Sequence, residues 1–391
     1  MQFDDRQPQG PARSESGLET SNPVKTRWQR LTSQAERIAG SVFILPAVLV
    51  VLLLSIFPLI ISFYLSLSRL RFVKGGFEIR FVGLANYVKL LFGSQKRHFL
   101  GVIADLPPAA WLVLAGVIVL IALVLWRYVR SRRFSVGGLI YRAVTMVVLS
   151  LGVWYVLRTL SSGGRPGTLV VTLIYVFVGI TVQYLLGFGL ALLTTQRLPG
   201  RRFFRVVFLL PMMVTPVGVA YMFRMLTDTD KGPFNPVWQA LGLANFSWVN
   251  NPWGARTAVL IGDIWQWTPF MFIVLLAALE SQPIESREAG LVDGASRWQM
   301  LWNITLPQLL PVSATIILIR MIEAFKIVDL PNVLTSGGPG TATESLTLHS
   351  FFAWRAFDLG GSAAIAYMLL FVIIGIGISY VNLVHRPAME G

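Results

Sequence analysis

The sequence predicts an all-α polytopic membrane protein with about eight transmembrane helices. Of its 391 residues, 54% are hydrophobic and only 13% are charged, and the mean hydropathy of +0.64 lies far above that of soluble domains. Several apolar runs reach the roughly 20 residues that a helix needs to cross about 30 Å of hydrocarbon. Barrel strands would instead alternate apolar with polar residues. The spans are therefore expected to be helices in a lipid bilayer.

Composition argues against several other classes of protein. Cysteine is absent, so the chain has no disulfide framework, no thiolate metal site and no cysteine nucleophile. With only His98, His349 and His385, we expect no imidazole metal centre either. We assign the net charge of +14 to cytoplasmic loops rather than to nucleic-acid binding, because Lys and Arg collect on the inner side of membrane proteins. The sequence thus predicts no catalytic residues, no metal site and no nucleic-acid partner.

The N-terminal segment has a different composition from the rest of the chain. Residues 1–40 contain mainly polar and charged residues before the first apolar run, and we expect a largely disordered cytoplasmic tail. The apolar run that begins near Gly40 is too long and too far into the chain for a cleaved signal peptide. It is expected to remain as a membrane anchor.

Apolar windows place the predicted helices, and basic residues orient them. The windows lie at roughly 41–68, 109–127, 141–159, 168–194, 203–225, 257–280, 309–327 and 361–384. Arginines cluster in the connections that follow the second and fourth windows, which makes both connections cytoplasmic. Both termini and residues 281–308 then lie inside, and residues 334–346 lie outside. The basic segment 69–97 also falls outside, where the charge rule weakens because the segment is long.

The cytoplasmic connection at 281–308 lacks the basic excess of its neighbours. Apolar residues recur there at steps of three and four, which predicts one short amphipathic helix from Glu285 to Trp302 that Pro307 ends. The residues on this stripe are Ala289, Val292, Ala295, Trp298 and Trp302.

Two glycines in this connection are four residues apart. The missing side chains of Gly290 and Gly294 would open a notch that a partner's backbone could approach closely. The pattern alone leaves two surfaces open, lipid headgroups and a protein partner.

The same loop resembles a motif of a known family. Its residues resemble the "EAA" loop of permease subunits in ABC importers, although Gly290 stands where that motif has alanine. The matching positions are Glu288, Ala289, Gly290, Asp293, Gly294, Ala295, Leu306 and Pro307. Further stretches resemble the carbohydrate-type, maltose-like branch of that family, namely "FVGLANY" at 81–87, "LLPMMVTPVGVAYMFRML" at 209–226, "WQWTPFMFIVLLAAL" at 265–279 and "LTSGGPGTATESL" at 334–346.

The resemblance implies an architecture. A six-helix permease core would comprise 41–94, with the first core span and an external segment, and 166–384, with the coupling loop 281–308. Residues 95–165 would be an insertion with two extra spans, and 385–391 a cytoplasmic tail.

The resemblance also implies a function and partners. The chain would be the transmembrane subunit of an ATP-driven importer of a sugar, oligosaccharide or polyol, in a bacterial-type cytoplasmic membrane. Its loop would dock on a dimer of ATP-binding subunits, and ATP and Mg would bind there, with no cofactor in this chain. No Gly-Lys pair occurs in the sequence, which excludes a Walker A phosphate loop. The other implied partners are a second permease subunit, a different chain in this branch, and an extracytoplasmic substrate-binding protein.

Polar and aromatic residues inside the spans are the candidate substrate contacts. Polar groups in hydrocarbon tend to face a cavity or another helix, and aromatic rings can stack on sugars. These criteria select Gln183, Tyr184, Asp263, Trp265, Gln266, Trp267, Arg320, Glu323 and Lys326. Glu323 and Lys326 are three residues apart and could instead neutralise each other. The glycine-rich external loop, with Gly337, Gly338, Pro339 and Gly340, is the candidate contact for the binding protein.

Two other functions remain open at this stage. An integral membrane sugar transferase would need converging carboxylates or a metal-binding set, whereas the outer acidic residues are scattered. A secondary transporter would be expected to show repeated halves, and the sequence shows no clear internal repeat.

Overall fold

The computed structural model describes residues 43–130, 135–196, 199–242 and 246–385. The predicted disordered tail at 1–40 and residues 386–391 of the predicted C-terminal tail lie outside the described residues. The chain divides into two compact units between Ser62 and Phe63. In the first unit, residues 43–62 belong to helix α1, Phe43–Ser66, and are almost all apolar, with no charged residue among them. Such a helix requires lipid as its surroundings.

Six helices among the described residues are long and apolar enough to cross a membrane. They are α1, α5 (Val136–Leu160), α6 (Thr168–Thr195), α11 (Pro252–Glu280), α13 (Arg297–Ala324) and α16 (Leu359–Val384). A bent pair would make a seventh span, with α7 (Arg201–Val207) and α8 (Leu210–Met213) on one arm and α9 (Pro216–Leu226) on the other. The predicted second span corresponds to α4, Pro108–Val129, whose apolar stretch Pro108–Leu123 is shorter than a full span. The count of eight is therefore not confirmed.

The bend of 96° in the fifth predicted span has a local cause. Val214 and Thr215 are extended, and Pro216 then begins α9 at its first position. Proline suits that position because its missing N–H would have no partner in the first turn. The Thr215 hydroxyl caps the new helix by accepting a hydrogen bond from Gly218 N at 3.3 Å.

Two small antiparallel sheets add to the predicted all-α fold. Strand β1, Ser68–Val73, pairs with β2, Gly76–Phe81, across a turn in which Gly75 and Gly76 have positive φ. Strand β3, Gly101–Val102, pairs with β4, Arg165–Pro166. The second sheet joins the two ends of the predicted insertion 95–165.

Helices α4 and α5 form this inserted segment and pack on each other. The Arg142 guanidinium lies 3.6 Å from the centre of the Tyr128 ring. Two side chains of α5 also bind the backbone of the segment before α4. Tyr155 donates its hydroxyl to Leu100 O at 2.8 Å, and Arg158 Nε donates to Ala104 O at 2.8 Å. Helix α5 is thereby tied to the segment that precedes α4.

The main core lies where α6 crosses α11 and α13. Val176, Phe272, Leu275 and Phe325 are fully buried there. At Gly187 a side chain would lie 2.6 Å from Met271 Cβ and 2.9 Å from Phe272 N. A glycine is needed at this position because the backbones of α6 and α11 approach too closely for a Cβ.

Short helices complete the second unit. They are α2 (Ala85–Leu91), α3 (Lys96–Phe99), α10 (Asn235–Ala240), α12 (Ile284–Val292), α14 (Asp329–Thr335) and α15 (Leu346–Arg355). A separate apolar cluster of Leu90, Phe99, Leu346 and Ile365 packs α2, α3, α15 and α16 together. This cluster brings the segment around residue 98 next to the segment around residue 345.

Candidate functional site

A buried polar centre links α6, α11 and α13. Arg320 donates through Nη2 to both carboxylate oxygens of Asp263, at 2.8 and 2.6 Å, and through Nε to Gln183 Oε1 at 2.9 Å. Gln183 Nε2 in turn donates to Asp263 Oδ2 at 2.8 Å. All three side chains are buried. The opposite charges and the amide satisfy one another, which is how charges inside a membrane span are tolerated.

A cavity of about 160 Å³ opens beside this centre. Its lining combines the charged pair Asp263 and Arg320 with an aromatic face and further polar groups. The Arg320 guanidinium lies 4.5 Å from the centre of the Trp267 ring. The other lining residues include Pro216, Gln266, Glu323 and Lys326.

The structure thus brings six of the nine selected residues to one cavity, namely Asp263, Gln266, Trp267, Arg320, Glu323 and Lys326. Glu323 and Lys326 also form an ion pair at 2.6 Å, as their spacing allows. Gln183 lies behind the cavity in the charged centre. The cavity joins an apolar ring to hydrogen-bonding groups, a combination that suits ligands with apolar and polar faces.

Two of the selected aromatic residues lie elsewhere. Tyr184 lines a separate cavity of about 250 Å³, with Ile317, Met321 and Tyr380, and its hydroxyl is 2.8 Å from Ser313 Oγ. Trp265 packs edge-on against Phe223, with ring centres 5.8 Å apart. In this conformation neither of them is among the residues that line the cavity beside Arg320.

The loop at 281–308 is not the single helix that its apolar stripe predicts. Helix α12 ends at Val292, and Gly294 adopts a left-handed φ of +73°. Gly294 N donates to Leu291 O at 3.1 Å and Ala295 N to Gly290 O at 2.9 Å, which together make a Schellman C-cap. Glycine is favoured at such a cap because left-handed backbone is costly for other residues, so the Asp-Gly pair ends the helix.

A second helix begins at once. Ser296 Oγ accepts from Gln299 N at 3.3 Å, and Gln299 Oε1 accepts from Ser296 N at 2.8 Å, which makes a capping box. The prediction that Pro307 ends this segment is also wrong. Helix α13 runs from Arg297 to Ala324 because a π turn at Leu301–Thr305 precedes the proline. A π turn already departs from the regular i→i−4 bonding that proline would interrupt.

The glycine notch has a different occupant from the predicted one. A side chain at Gly290 would lie 2.6 Å from Met300 Sδ and 2.8 Å from Ile304 Cδ1, so this chain's own α13 fills the space. The outer face of the loop remains exposed, including Glu288, Ala289 and Asp293. Val292 is 87% exposed and Trp298 is 70% exposed, so the loop presents apolar groups beside acidic ones. Such a patch is typical of a contact surface.

A groove of about 520 Å³ lies between this loop and the ends of two spans. Its walls include Thr195 of α6, Leu279 of α11, and Arg287 and Met300 of the loop. The two ends of the loop are joined to each other, because Gln282 Nε2 donates to Thr305 O at 3.1 Å. The loop thus borders the ends of α6 and α11.

The glycine-rich loop at 336–345 is held by its own hydrogen bonds. Gly337 N donates to Pro331 O at 3.0 Å and Thr343 N to Gly337 O at 3.1 Å, while the hydroxyls of Thr335 and Thr343 are 2.6 Å apart. Gly337 is buried, Gly338 and Pro339 are partly buried, and Gly340 is exposed. Only part of the predicted contact surface is thus accessible.

The structure also assembles a cluster that the sequence does not suggest. His98, Glu344 and His349 meet although they are up to about 250 residues apart, and the two imidazole rings stack with centres 4.0 Å apart. Burial lowers the pKa of His349 to about 3, and the charges of His98 and Lys89 act in the same direction. His349 is therefore neutral at physiological pH. Sequence reasoning missed this cluster because nothing local marks it.

The apolar spans, the neutralised charged centre between them and the exposed helical loop define a multi-pass transport permease rather than an enzyme. Residues 183–389 match the family described as the binding-protein-dependent transport system inner membrane component. The chain belongs to this family, whose members are inner-membrane permease subunits of ABC transporters.

Curated relatives have transport roles in their names. The trehalose/maltose transport system permease protein MalF of Thermococcus litoralis is 34% identical over 226 residues, which cover 58% of this chain and 77% of that protein. The probable ABC transporter permease protein y4oQ of Sinorhizobium fredii is 27% identical over 347 residues, 88% of this chain and 90% of that protein. The trehalose transport system permease protein SugA of Mycobacterium tuberculosis is 28% identical over 235 residues, 57% of this chain and 71% of that protein.

A solved structure shares the fold. The crystal structure of a bacterial ABC transporter involved in the import of the acidic polysaccharide alginate contains a chain that is 19% identical, with a TM-score of 0.52. The likeness covers 71% of this chain and 96% of that one. At this identity it supports the architecture of the spans and nothing finer.

Proposed function

We propose that this permease carries a sugar, oligosaccharide or polyol from an extracytoplasmic binding protein into the cytoplasm. The observation that carries the proposal is the cavity beside Arg320, where the Trp267 ring lies next to Gln266, Glu323 and Lys326. Sugars present apolar C–H faces beside hydroxyl groups, and this lining offers a partner for each. The transport of trehalose and maltose by named relatives supports the same substrate class.

The orientation follows from the distribution of basic residues. Both termini and the loop 281–308 face the cytoplasm, and residues 334–346 face the outside of a bacterial-type cytoplasmic membrane. Arginines in the connections after α4 and after α6 support this arrangement. Residues 41–94 and 166–384 form the permease core, and the segment 95–165, with α4 and α5, is an addition to it.

The loop 281–308 couples the spans to a separate ATPase. Glu288, Ala289 and Asp293 lie on its exposed face, where Glu288 would pair with a basic residue of the partner. Gly290, Gly294, Ala295, Leu306 and Pro307 set the shape of the loop. The partner is a dimer of ATP-binding subunits that holds ATP and Mg, and a second, different permease subunit completes the complex. The groove between the loop and the ends of α6 and α11 supports this mechanical link.

The binding protein contacts the loop that contains Gly337, Gly338, Pro339 and Gly340. The fixed shape of this loop supports such a role, because a preorganised surface loses little entropy on binding.

Co-purification tests the coupling. We expect a chain tagged at its C-terminus to recover a nucleotide-binding subunit in mild detergent, and the double change Glu288→Lys plus Gly294→Trp to lose it. The matched control is Glu78→Lys plus Gly75→Trp, the same changes in the exposed β1–β2 hairpin, where Glu78 lies on β2 and Gly75 also has a positive φ. Retention of the same partner after the loop change would contradict the coupling role.

Substrate class is tested separately. The reconstituted complex, with its binding protein, is expected to hydrolyse ATP faster when a cognate sugar or polyol is added. A set of neutral disaccharides, polyols and amino acids gives the comparison. Stimulation by amino acids alone would overturn the carbohydrate assignment and leave the coupling role intact.

A further inference from the structure

Three potential metal ligands meet on one side of the helical bundle. His98 comes from α3, Glu344 from the loop before α15, and His349 from the first turn of α15. One ligand atom from each lies within 4.8 Å of the others. His98 Nε2 is 2.9 Å from Glu344 Oε2, and the two imidazole rings are inclined by 28°. Three potential ligand atoms therefore lie close enough together to reach one ion.

One carboxylate oxygen of Glu344 has no hydrogen-bond partner in the part of the chain that the structure describes. The residue is only 3% exposed, and while Oε2 interacts with His98, Oε1 is buried with no hydrogen-bond partner among the residues that the structure describes. Buried polar atoms in native proteins are almost always paired, since an unpaired one costs free energy. The free oxygen indicates that this site takes a further group.

The surroundings hold the ligands in place. Thr168 Oγ1 lies 3.3 Å from His349 Nδ1 and helps to fix the orientation of that ring. On either side of Glu344, Tyr175 donates its hydroxyl to Thr343 O at 3.2 Å, and Ser345 Oγ donates to Ile327 O at 2.6 Å. Supporting hydrogen bonds of this kind orient ligands before a metal arrives.

We propose that His98, Glu344 and His349 bind one divalent transition-metal ion, with Zn²⁺ as the best-suited ion. Two imidazole nitrogens and one carboxylate oxygen form a donor set that zinc uses, and ligands about 2.1 Å from a tetrahedral zinc lie about 3.4 Å apart. The interatomic distances here bracket that separation. The side chain of His98 is 30% exposed, which leaves a path for the ion and room for a water as its fourth ligand.

A bound ion would connect two parts of the chain. It would tie α3, at the start of the segment 95–165, to α15 and to the glycine-rich loop that precedes α15. This assignment does not depend on the substrate or on the partners of the permease.

Metal binding by the purified full chain tests the proposal. The protein is isolated through a tag without histidine, stripped with EDTA, dialysed against Zn²⁺ and assayed for bound metal by mass spectrometry. We expect one ion per chain in the wild type, and at least about a tenfold loss of affinity in His98→Gln and in Glu344→Gln. Glu78→Gln, at an exposed carboxylate on β2, should bind as the wild type does.

Thermal unfolding gives a second measurement on the same samples. Zn²⁺ should raise the unfolding midpoint of the wild type and leave that of His98→Gln unchanged. His98→Gln is the primary variant because the His98 side chain is partly exposed, so that the change should not disturb the fold. The helix content of this variant should equal that of the stripped wild type. No bound zinc, or equal binding by wild type and both variants, would overturn the proposal and leave a cluster held by hydrogen bonds alone.

Discussion

Arg320 and Asp263 form an ion pair between two membrane spans, in which Nη2 lies 2.8 Å from Oδ1 and 2.6 Å from Oδ2. Gln183 on a third span completes the pair from the other side. Because both charges are buried and neutralised, the pair fixes α13 against α11 while it adds no net charge to the bundle. It also forms one wall of the cavity that we assign to substrate.

Breaking this pair should destabilise the protein strongly. Asp263→Asn removes the negative charge and leaves the Arg320 guanidinium buried and uncompensated, at a cost of about 3–5 kcal/mol. The unfolding midpoint of the purified chain in detergent measures the loss. The double change Asp263→Asn plus Arg320→Gln should cost less than the sum of the single changes, because neither charge is then left alone.

The exposed pair nearby provides the control. Glu323 and Lys326 are also within ion-pair distance, but their side chains are 43% and 56% exposed. Glu323→Gln should therefore change stability by no more than about 1 kcal/mol. Equal effects of Asp263→Asn and Glu323→Gln would show that the buried pair does not hold the spans together.

Gly187 should tolerate no side chain at the crossing of α6 and α11. A Cβ there would lie 2.6 Å from Met271 Cβ and 2.9 Å from the Phe272 backbone nitrogen, and backbone cannot move aside cheaply. We expect Gly187→Ala to lower stability by about 1–3 kcal/mol in thermal unfolding. Gly189→Ala is the matched control, because a side chain at Gly189 meets nothing within 4 Å and alanine favours helix. A larger loss in Gly189→Ala than in Gly187→Ala would contradict the packing described here.

The break in the loop 281–308 should depend on Gly294 more than on Gly290. Gly294 has φ of +73°, so Gly294→Ala should weaken the local turn by about 1 kcal/mol and Gly294→Val by more. Gly290→Ala meets only Met300 and Ile304 side-chain ends, which can shift, and it gains helix propensity. Tryptic cleavage at the exposed Arg297 in the native protein reports on local opening. We expect faster cleavage in Gly294→Val and an unchanged rate in Gly290→Ala.

The spans could be located from the sequence because long apolar runs carry their own signal. The window 168–194 corresponds to Thr168–Thr195, and the window 361–384 to Leu359–Val384. The apolar window predicts that this span starts at residue 309, about twelve residues after the observed start of α13 at Arg297. The first turns of α13 are less apolar and lie outside the window. The signals for that start and for the preceding break were nevertheless present, in the Asp-Gly pair at 293–294 and in the Ser296 and Gln299 capping box.

The site was only partly predictable for a different reason. Asp263 and Arg320 could each be selected as costly groups inside spans, but their pairing across 57 residues leaves no local pattern. The same holds for His98 and Glu344, which are 246 residues apart. Whether an aromatic residue lines a cavity or packs in the core also depends on how its helix is rotated. Trp265 and Trp267 are two residues apart in "WQWTP", and they point in different directions from α11.

This difference between two neighbouring tryptophans gives a sharp test of the substrate path. Trp267 lines the cavity and lies against Arg320, whereas Trp265 packs against Phe223. If sugars stack on the Trp267 ring, Trp267→Ala should raise the KM for uptake by about tenfold, since a stacked aromatic contributes about 1–2 kcal/mol. Trp265→Ala removes a ring of the same size and should lower the unfolding midpoint while leaving KM near the wild-type value. Uptake into proteoliposomes that contain the full complex, with both variants matched for protein content, measures KM. A raised KM in Trp265→Ala with an unchanged one in Trp267→Ala would place the substrate path on the other face of α11.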